Sequence, residues 1–170
     1  MKLKPWLAIA LLAPAFAFAQ SPSDPQIAHI VVTANQIDID AGKLAKSKSK
    51  NKDVQAFAQQ MITDHAAVNK QAGALAKKLG VKPEDNDTSK SLKKGASENT
   101  ANLKKLSSAA FDKAYVDHEV AYHQAVLDAI DKVLVPSAQN PELKDLIVRV
   151  RPAIAAHLEH AKHLQASLGK

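Results

Sequence analysis

The stretch that decides the fold is residues 54–79, VQAFAQQMITDHAAVNKQAGALAKKL. Apolar side chains recur through it at alternating steps of four and three residues, the pattern of a helix packed along one seam into a bundle. The members of this seam are Val54, Ala58, Met61, His65, Val68, Ala72, Leu75 and Leu79. His65 is the single polar member, and a buried polar group must find a partner. That partner has to come from another helix.

Three other segments repeat the pattern, and each contains one polar interruption. Asp38 interrupts the seam of residues 27–45, His123 that of residues 116–134, and His157 that of residues 143–168. Four amphipathic helices joined by turns predict an all-α protein with the architecture of an antiparallel four-helix bundle. Residues 89–106 are more polar and contain a glycine, and they predict a short additional helix that serves as a lid or crossover.

Capping residues and helix breakers predict where the helices begin and end. Asp24 is expected to precede the first helix as its N-cap, and Asp53 to cap the second. Gly80 is typical of the residue just after a helix, so the second helix should end at residue 79. The third long helix is expected to end before Pro136, because an interior proline breaks helical hydrogen bonding.

Residues 1–19 are predicted to be a signal peptide rather than part of the fold. Two lysines precede an apolar stretch at 6–16 that is too short to span a bilayer, and Ala-Phe-Ala at 17–19 has the form of a cleavage site. Cleavage after Ala19 would leave residues 20–170 as one helical-bundle domain of a periplasmic or secreted protein. Retention in the membrane through an uncleaved leader is the alternative.

Charge and cysteine content limit the kinds of site and partner that the protein can have. The chain has no cysteine, which excludes thiolate metal ligands, redox dithiols and cysteine nucleophiles. The formal net charge is +6 for the whole chain and +4 once Lys2 and Lys4 are removed with the leader. In an exported protein, a surplus this small favours an anionic envelope surface over nucleic acid as a partner. The lysine-rich turn at residues 46–52 is the candidate contact, although most such turns are simply solvated.

The four polar interruptions are expected to meet inside the bundle. Asp38 and His65 are nearly equidistant from the turn between their helices, while His123 and His157 are offset by about one helical turn. Imidazole and carboxylate groups that project into a bundle core suit zinc, iron, copper or manganese. The alternative is a metal-free network in which the same groups satisfy one another through hydrogen bonds.

Other polar residues beside the seams are candidate alternate ligands or supports for the ligands. They are Asp64 on the second helix, and Tyr115, His118, Glu119 and Tyr122 on the third long helix. Each of these residue types is more often at a protein surface, which is where any one of them is expected.

The sequence assigns no enzymatic reaction. Glu119 and His123 are spaced by four, and no Glu-x-x-His pair occurs, so a classical di-iron oxidase is disfavoured and a mononuclear or structural site is preferred. The sequence also contains no nucleophile elbow, phosphate-binding glycine loop or zinc-protease motif.

Four motifs resemble a known family over nearly the whole mature chain. They are TANQIDIDAGKLA at 33–45, VQAFAQQMITDH at 54–65, FDKAY at 111–115 followed by His123, and Arg-Pro at 151–152 followed by His157. This combination resembles the exported bacterial family called domain of unknown function 4142. The resemblance implies a ferritin-like fold and an envelope location. The usual acid on the family's first helix is a glutamate, whereas this chain has Asp38, which is one methylene shorter.

The favoured function is an exported ferritin-like bundle that binds a transition metal through Asp38, His65, His123 and His157. The alternative belongs to a different class, a non-catalytic module for envelope interaction or stress protection. Its polar core would hold no metal and would serve only the specificity of the fold. The sequence identifies no protein partner for either function.

Overall fold

The structure, a computed structural model, describes residues 21–169, and every regular element within that range is a helix. The long helices are α1 (Asp24–Lys48), α2 (Lys52–Leu79), α3 (Asp87–Lys105), α4 (Ser108–Ala129) and α5 (Pro141–Leu168). The predicted all-α class is confirmed. The signal peptide predicted at residues 1–19 lies outside the described residues.

The N-caps of the first two helices differ from the predicted ones by one and two residues. Ser23 caps α1, and Asp24 is its first helical residue, whose carboxylate accepts hydrogen bonds from the backbone of the loop before α5. Asn51 caps α2, where its side-chain oxygen accepts from the backbone N–H groups of Asp53 and Val54 at 2.9 and 3.3 Å. Gly80 ends α2 in the left-handed conformation, as predicted, with φ of 64°.

The predicted end of the third long helix before Pro136 is wrong. After Ala129 the chain continues through a π-helical segment, Ile130–Leu134, and then through a single α-helical turn, Val135–Ser137. Pro136 comes directly after the π-helical segment, whose last hydrogen bond runs from the Val135 N–H to the carbonyl oxygen of Ile130, and the backbone stays helical on both sides of this bond. The helix therefore passes the proline instead of ending at it.

The long helices pack as two antiparallel pairs. In the first pair, His65 of α2 contacts Asn35 of α1, while Gln59, closer to the turn, contacts Lys46. The second pair, α4 and α5, is also antiparallel. There Gln165 donates to Asp117 near the beginning of α4, and Arg151 donates two hydrogen bonds to Asp131 in the π-helical segment beyond it.

Helix α3 packs mainly against α1 and connects the two pairs. Near the end of α1, the ammonium group of Lys48 donates to the carbonyl oxygens of Leu103 and Lys104, at 3.4 and 2.7 Å. A direct link between the pairs comes from Tyr122 of α4, whose hydroxyl donates to the carbonyl of Ala34 in α1 at 3.0 Å. No helix of the described residues is long and apolar enough to cross a membrane.

The apolar core is divided into two clusters by a layer of polar side chains. One cluster contains Phe57, Met61, Phe111, Tyr115 and Val116, among others. The second is built mainly from aliphatic residues, including Ile27, Ile30, Ile130, Ile147 and Ile154. Along α1, α2 and α4, the polar interruptions of the seams lie between the residues of the two clusters, and along α5 His157 lies near the boundary, one residue before Leu158 of the second cluster.

Substitution of two glycines should have opposite effects on stability. A Cβ atom at Gly42 would lie 2.9 Å from the carbonyl oxygen of Ala58, because α1 and α2 approach closely there, whereas Gly73 of α2 has nothing within 4 Å. We expect Gly42→Ala to lower the free energy of unfolding by roughly 1–3 kcal/mol through overpacking. Gly73→Ala should raise it by roughly 0.5–1 kcal/mol, because alanine is the better helix former.

Urea unfolding of both variants, followed by far-ultraviolet circular dichroism, measures these changes. An unchanged midpoint for Gly42→Ala would contradict the close packing of α1 on α2.

Candidate metal centre

Three imidazole rings from three helices form a near-equilateral triangle in the core. They belong to His65 of α2, His123 of α4 and His157 of α5. The ring centroids are 5.7 Å apart between His65 and His123, 5.2 Å between His65 and His157, and 5.5 Å between His123 and His157. Each of the three residues is at most 2% exposed. The seam positions predicted from the sequence thus bring the three histidines into one buried group.

Each ring is oriented by a hydrogen bond from one of its two nitrogens. His65 Nδ1 lies 2.7 Å from Asn35 Oδ1, His123 Nδ1 lies 2.9 Å from the carbonyl oxygen of Glu119, and His157 Nε2 lies 2.9 Å from Asp64 Oδ2. All three partners are oxygen acceptors in this arrangement, so the histidine nitrogen must carry the proton. The tautomer of each neutral ring is thereby fixed.

The other nitrogen of each ring has no hydrogen-bond partner among the described residues. These atoms are His65 Nε2, His123 Nε2 and His157 Nδ1, and all three are buried. Because the opposite nitrogen carries the proton, each of these atoms has a free lone pair. One nitrogen from each ring lies within 4.8 Å of one from each of the other two. The three histidines therefore form a group that could hold a metal ion, and each ring is also oriented by a hydrogen bond to an acceptor.

Two buried carboxyl groups adjoin the imidazoles. Asp38 and Glu119 are 3% and 1% exposed and lie close together, and neither carboxyl oxygen of Glu119 has a hydrogen-bond partner among the described residues. Asp38 Oδ2 lies 3.4 Å from His65 Nε2, a close approach without hydrogen-bond alignment. Glu119 Oε2 lies 3.5 Å from His123 Nδ1, and the two carboxylates form a second compact group with His123. An oxygen donor is therefore available beside the imidazoles.

Burial decides the protonation of this cluster. Loss of hydration lowers the pKa of both His65 and His123 to about 3, so both rings are neutral at pH 7. The same loss raises the pKa of Asp38 to about 8 and that of Glu119 well above its usual value. The histidines are thus already in the form that binds metals, while the carboxyl pair retains protons that a cation would displace.

The alternate candidates lie in different surroundings. Glu119 is buried in the cluster, and Tyr115, His118 and Tyr122 are buried as well, so the expectation of a surface position was wrong for all four. Asp64 is half-exposed and accepts a hydrogen bond from His157, and it belongs to neither compact group. Tyr115 is fully buried against Phe111 in the apolar core, and His118 lines a groove between α1 and α3. Neither Tyr115 nor His118 belongs to the clustered groups.

The sequence spacing indicates the positions of two residues of the cluster, Glu119 and Asn35. Glu119 and His123 are spaced by four, which places both on one face of α4 and makes their shared burial predictable. Asn35 was missed as the partner of His65. It lies three residues before Asp38, and therefore on the same face of α1.

The fold and this cluster define an all-helical protein with a histidine and carboxylate site formed by four of its helices. Residues 11–164 match the family model described as Domain of unknown function (DUF4142), and the chain belongs to that family. The resemblance inferred from the sequence motifs is confirmed at the level of the family. The chain matches no curated protein and no solved structure.

The metal-free protein should be most stable near pH 6.5. Between pH 6.5 and 8, the folded chain keeps protons on Asp38 and Glu119 that the unfolded chain has lost, so stability falls as pH rises. Below pH 6.5, the unfolded chain protonates histidines that stay neutral in the fold. His65, His118 and His123 outweigh the two acids in this range, so stability falls as pH decreases.

Urea unfolding in chelator at half-unit pH steps measures this profile. Each proton difference contributes a slope of up to about 1.4 kcal/mol per pH unit. The variant Glu119→Gln removes one titrating acid and should flatten the decline above pH 6.5. A profile for the unaltered protein that rises steadily to pH 8 would contradict the protonated carboxyl pair.

Proposed function

We propose that this protein binds one transition-metal ion in its helical core, through His65, His123 and His157. The observation that carries the proposal is the set of three buried ring nitrogens that lack hydrogen bonds while the opposite nitrogen of each ring has one. A carboxylate oxygen from Asp38 or Glu119 would complete a four-coordinate shell.

The same observation argues against a metal-free polar core, which is the alternative function. Leaving a buried polar atom unsatisfied costs about 1–3 kcal/mol. The hydrogen bonds of the cluster engage one nitrogen of each ring and leave the second without a partner. A single cation would provide a partner for all three at once, which no contact among the protein groups does.

The donor set favours one ion over two. His123 belongs to both compact groups, so a second ion would require both of its ring nitrogens as ligands. Its Nδ1 already donates to the carbonyl oxygen of Glu119, which leaves only Nε2 free to ligate. Three imidazoles with a carboxylate suit zinc, iron, copper or manganese. A bound ion of this kind would supply Lewis-acid chemistry at any open coordination position.

We also propose that α1, α2, α4 and α5 form a ferritin-like antiparallel four-helix bundle in which α3 is the crossover. The two antiparallel pairs and the Tyr122 bond between α4 and α1 support this arrangement. The form of residues 1–19 supports export, and hence a periplasmic or secreted location.

An anionic envelope surface is the proposed partner of the lysine-rich end of the protein. Lys46, Lys50 and Lys52 are exposed in and beside the turn between α1 and α2. The hydrogen bonds of Lys48 to the end of α3 bring the exposed Lys104 to the same end. Such a cluster attracts anionic surfaces at low ionic strength and is screened by salt.

Metal analysis of the purified protein tests the proposed function. We expect about one equivalent of metal per chain for the unaltered protein. The double variant His65→Ala/His157→Ala should lose it, because it removes two of the three ligands. The matched control is His160→Ala/His163→Ala, which removes two exposed histidines of α5 and should retain the metal.

Circular dichroism of the variants separates loss of the site from loss of the fold. A folded double variant that still carries stoichiometric metal would overturn the assignment, and so would unaltered protein that takes up no metal after reloading with any of the four candidates.

Removal of the metal should also lower thermal stability. An ion that binds only the folded chain stabilises it by about 2.7 kcal/mol when the free ion is at a hundred times its dissociation constant. We expect a chelator to lower the Tm of the reloaded protein by several degrees, and re-addition of the ion to restore it. Calorimetry of loaded and chelated samples checks this, and an equal Tm for both would count against a metal in the core.

A further inference from the structure

A groove of about 670 Å³ lies between α1 and α3, and His118 of α4 contributes to its lining. Apolar residues anchor α3 near both of its ends, Leu92 in the second cluster and Leu103 in the first. Between these anchors, the side chains of α3 that line the groove are mostly short. They are Ala96, Ser97, Asn99, Thr100 and Ala101. Helix α3 therefore leaves space open beside α1.

The volume of this groove suits a small organic molecule. Sites for such molecules are typically clefts of about 300–1,000 Å³, with a largely apolar lining and a few polar groups. Two smaller cavities, of about 40 Å³ beside Asp38 and His65 and of about 50 Å³ beside Leu75, have room for little more than one water molecule each. Of these three spaces, the groove is the one that can hold a larger ligand.

A buried imidazole at the groove has no hydrogen-bond partner. His118 is 8% exposed, and its ring stacks on that of Tyr122 with 5.7 Å between the centroids. The ring lines the groove, and neither of its nitrogens hydrogen bonds to another described residue. A buried polar group without a partner costs free energy. A ligand with a hydrogen-bonding group would provide a partner for His118.

The charged groups around the groove favour an anion as the ligand. Lys93 and Lys104 of α3 line the groove, and both are exposed. The carboxylate of Asp40 also lines it, but it already lies 3.5 Å from the ammonium group of Lys43. Lys93 lies 3.6 Å from Asp85, whereas the ammonium group of Lys104 has no ion pair in the part of the chain that the structure describes. Lys104 is therefore the cation available to a ligand.

We infer that this groove binds a small organic carboxylate, with its anionic group at Lys104, its apolar body against α1 and a hydrogen-bonding group at His118. Ile37 and Ala41 of α1 provide the apolar surface. A hydrogen bond between an ammonium group and a carboxylate is roughly twice as strong as one between neutral groups, so the charge adds to both affinity and selectivity.

Binding in the groove does not depend on the proposed metal, and it is measurable in the metal-free protein. The groove is nevertheless connected to the candidate metal centre by adjacent rings. His118 stacks on Tyr122, and the ring of Tyr122 meets that of His123 edge to face with 6.1 Å between the centroids.

An NMR titration of methyl-labelled, metal-free protein with matched compounds tests the inference. The probe is phloretate, which carries a carboxylate and a phenolic hydroxyl group at opposite ends of an apolar body. Phloretamide lacks the charge, and hydrocinnamate lacks the hydroxyl group. We expect phloretate to bind about tenfold more tightly than phloretamide, and several-fold more tightly than hydrocinnamate. The methyl signals of Val32 and Ile37, which line the groove, should shift, and those of Val54 should not.

Two substitutions separate the two polar contacts. Lys104→Gln removes the cation and should remove most of the preference for phloretate over phloretamide. His118→Phe removes the ring nitrogens but keeps an aromatic ring, and it should remove the preference for phloretate over hydrocinnamate. The matched controls are Lys105→Gln and His163→Phe, which alter exposed residues outside the groove and should keep both preferences.

Absence of binding, or equal affinity for phloretate and phloretamide, would overturn the inference. Shifts centred outside the groove, or both preferences retained in folded Lys104→Gln, would overturn it as well. Lys104 is exposed, so this variant decides the matter even where His118→Phe does not fold. Failure of the proposed function has a different signature, because the protein then takes up no zinc while the titration of the metal-free sample is unaffected.

Discussion

The constraint on which this structure depends is that every buried imidazole nitrogen needs a partner. The three core histidines have one nitrogen each bound to an oxygen acceptor from the protein, and the other directed to no protein group. The acceptors belong to three different helices. Asn35 is on α1, Asp64 on α2, and the carbonyl of Glu119 on α4. Two of these bonds run between helices, from His65 of α2 to α1 and from His157 of α5 to α2, so the orientation of these two rings is coupled to helix packing, whereas His123 is held within α4.

The apolar clusters on either side make this polar layer tolerable. Moving ionisable groups out of water costs free energy, and the altered pKa values of Asp38, His65 and His123 reflect that cost. Close packing elsewhere compensates, as where α1 lies against the backbone of α2 at Gly42. The cavity beside the cluster is a local exception to close packing.

Much of the fold was predictable from periodicity, because each long helix buries a single stripe. The same spacing predicts that His65, His123 and His157 are neighbours, as their ring centroids are in the structure. The N-cap errors at Asp24 and Asp53 have a simple origin. Several adjacent residues were able to cap, and only the backbone conformation selects among them. The passage of the helix beyond Pro136 depends on a π-helical turn that no side-chain pattern encodes.

The role of Asn35 was harder to predict, because it depends on a contact between α1 and α2 and not on the residue type alone. The proposed metal centre depends on the free nitrogens of the three rings. X-ray absorption spectroscopy of the zinc-loaded protein tests this most directly. We predict three imidazole nitrogens at about 2.0–2.1 Å, with multiple scattering from the rings, and a carboxylate oxygen at a similar distance. A first shell of oxygen atoms without imidazole scattering would contradict it.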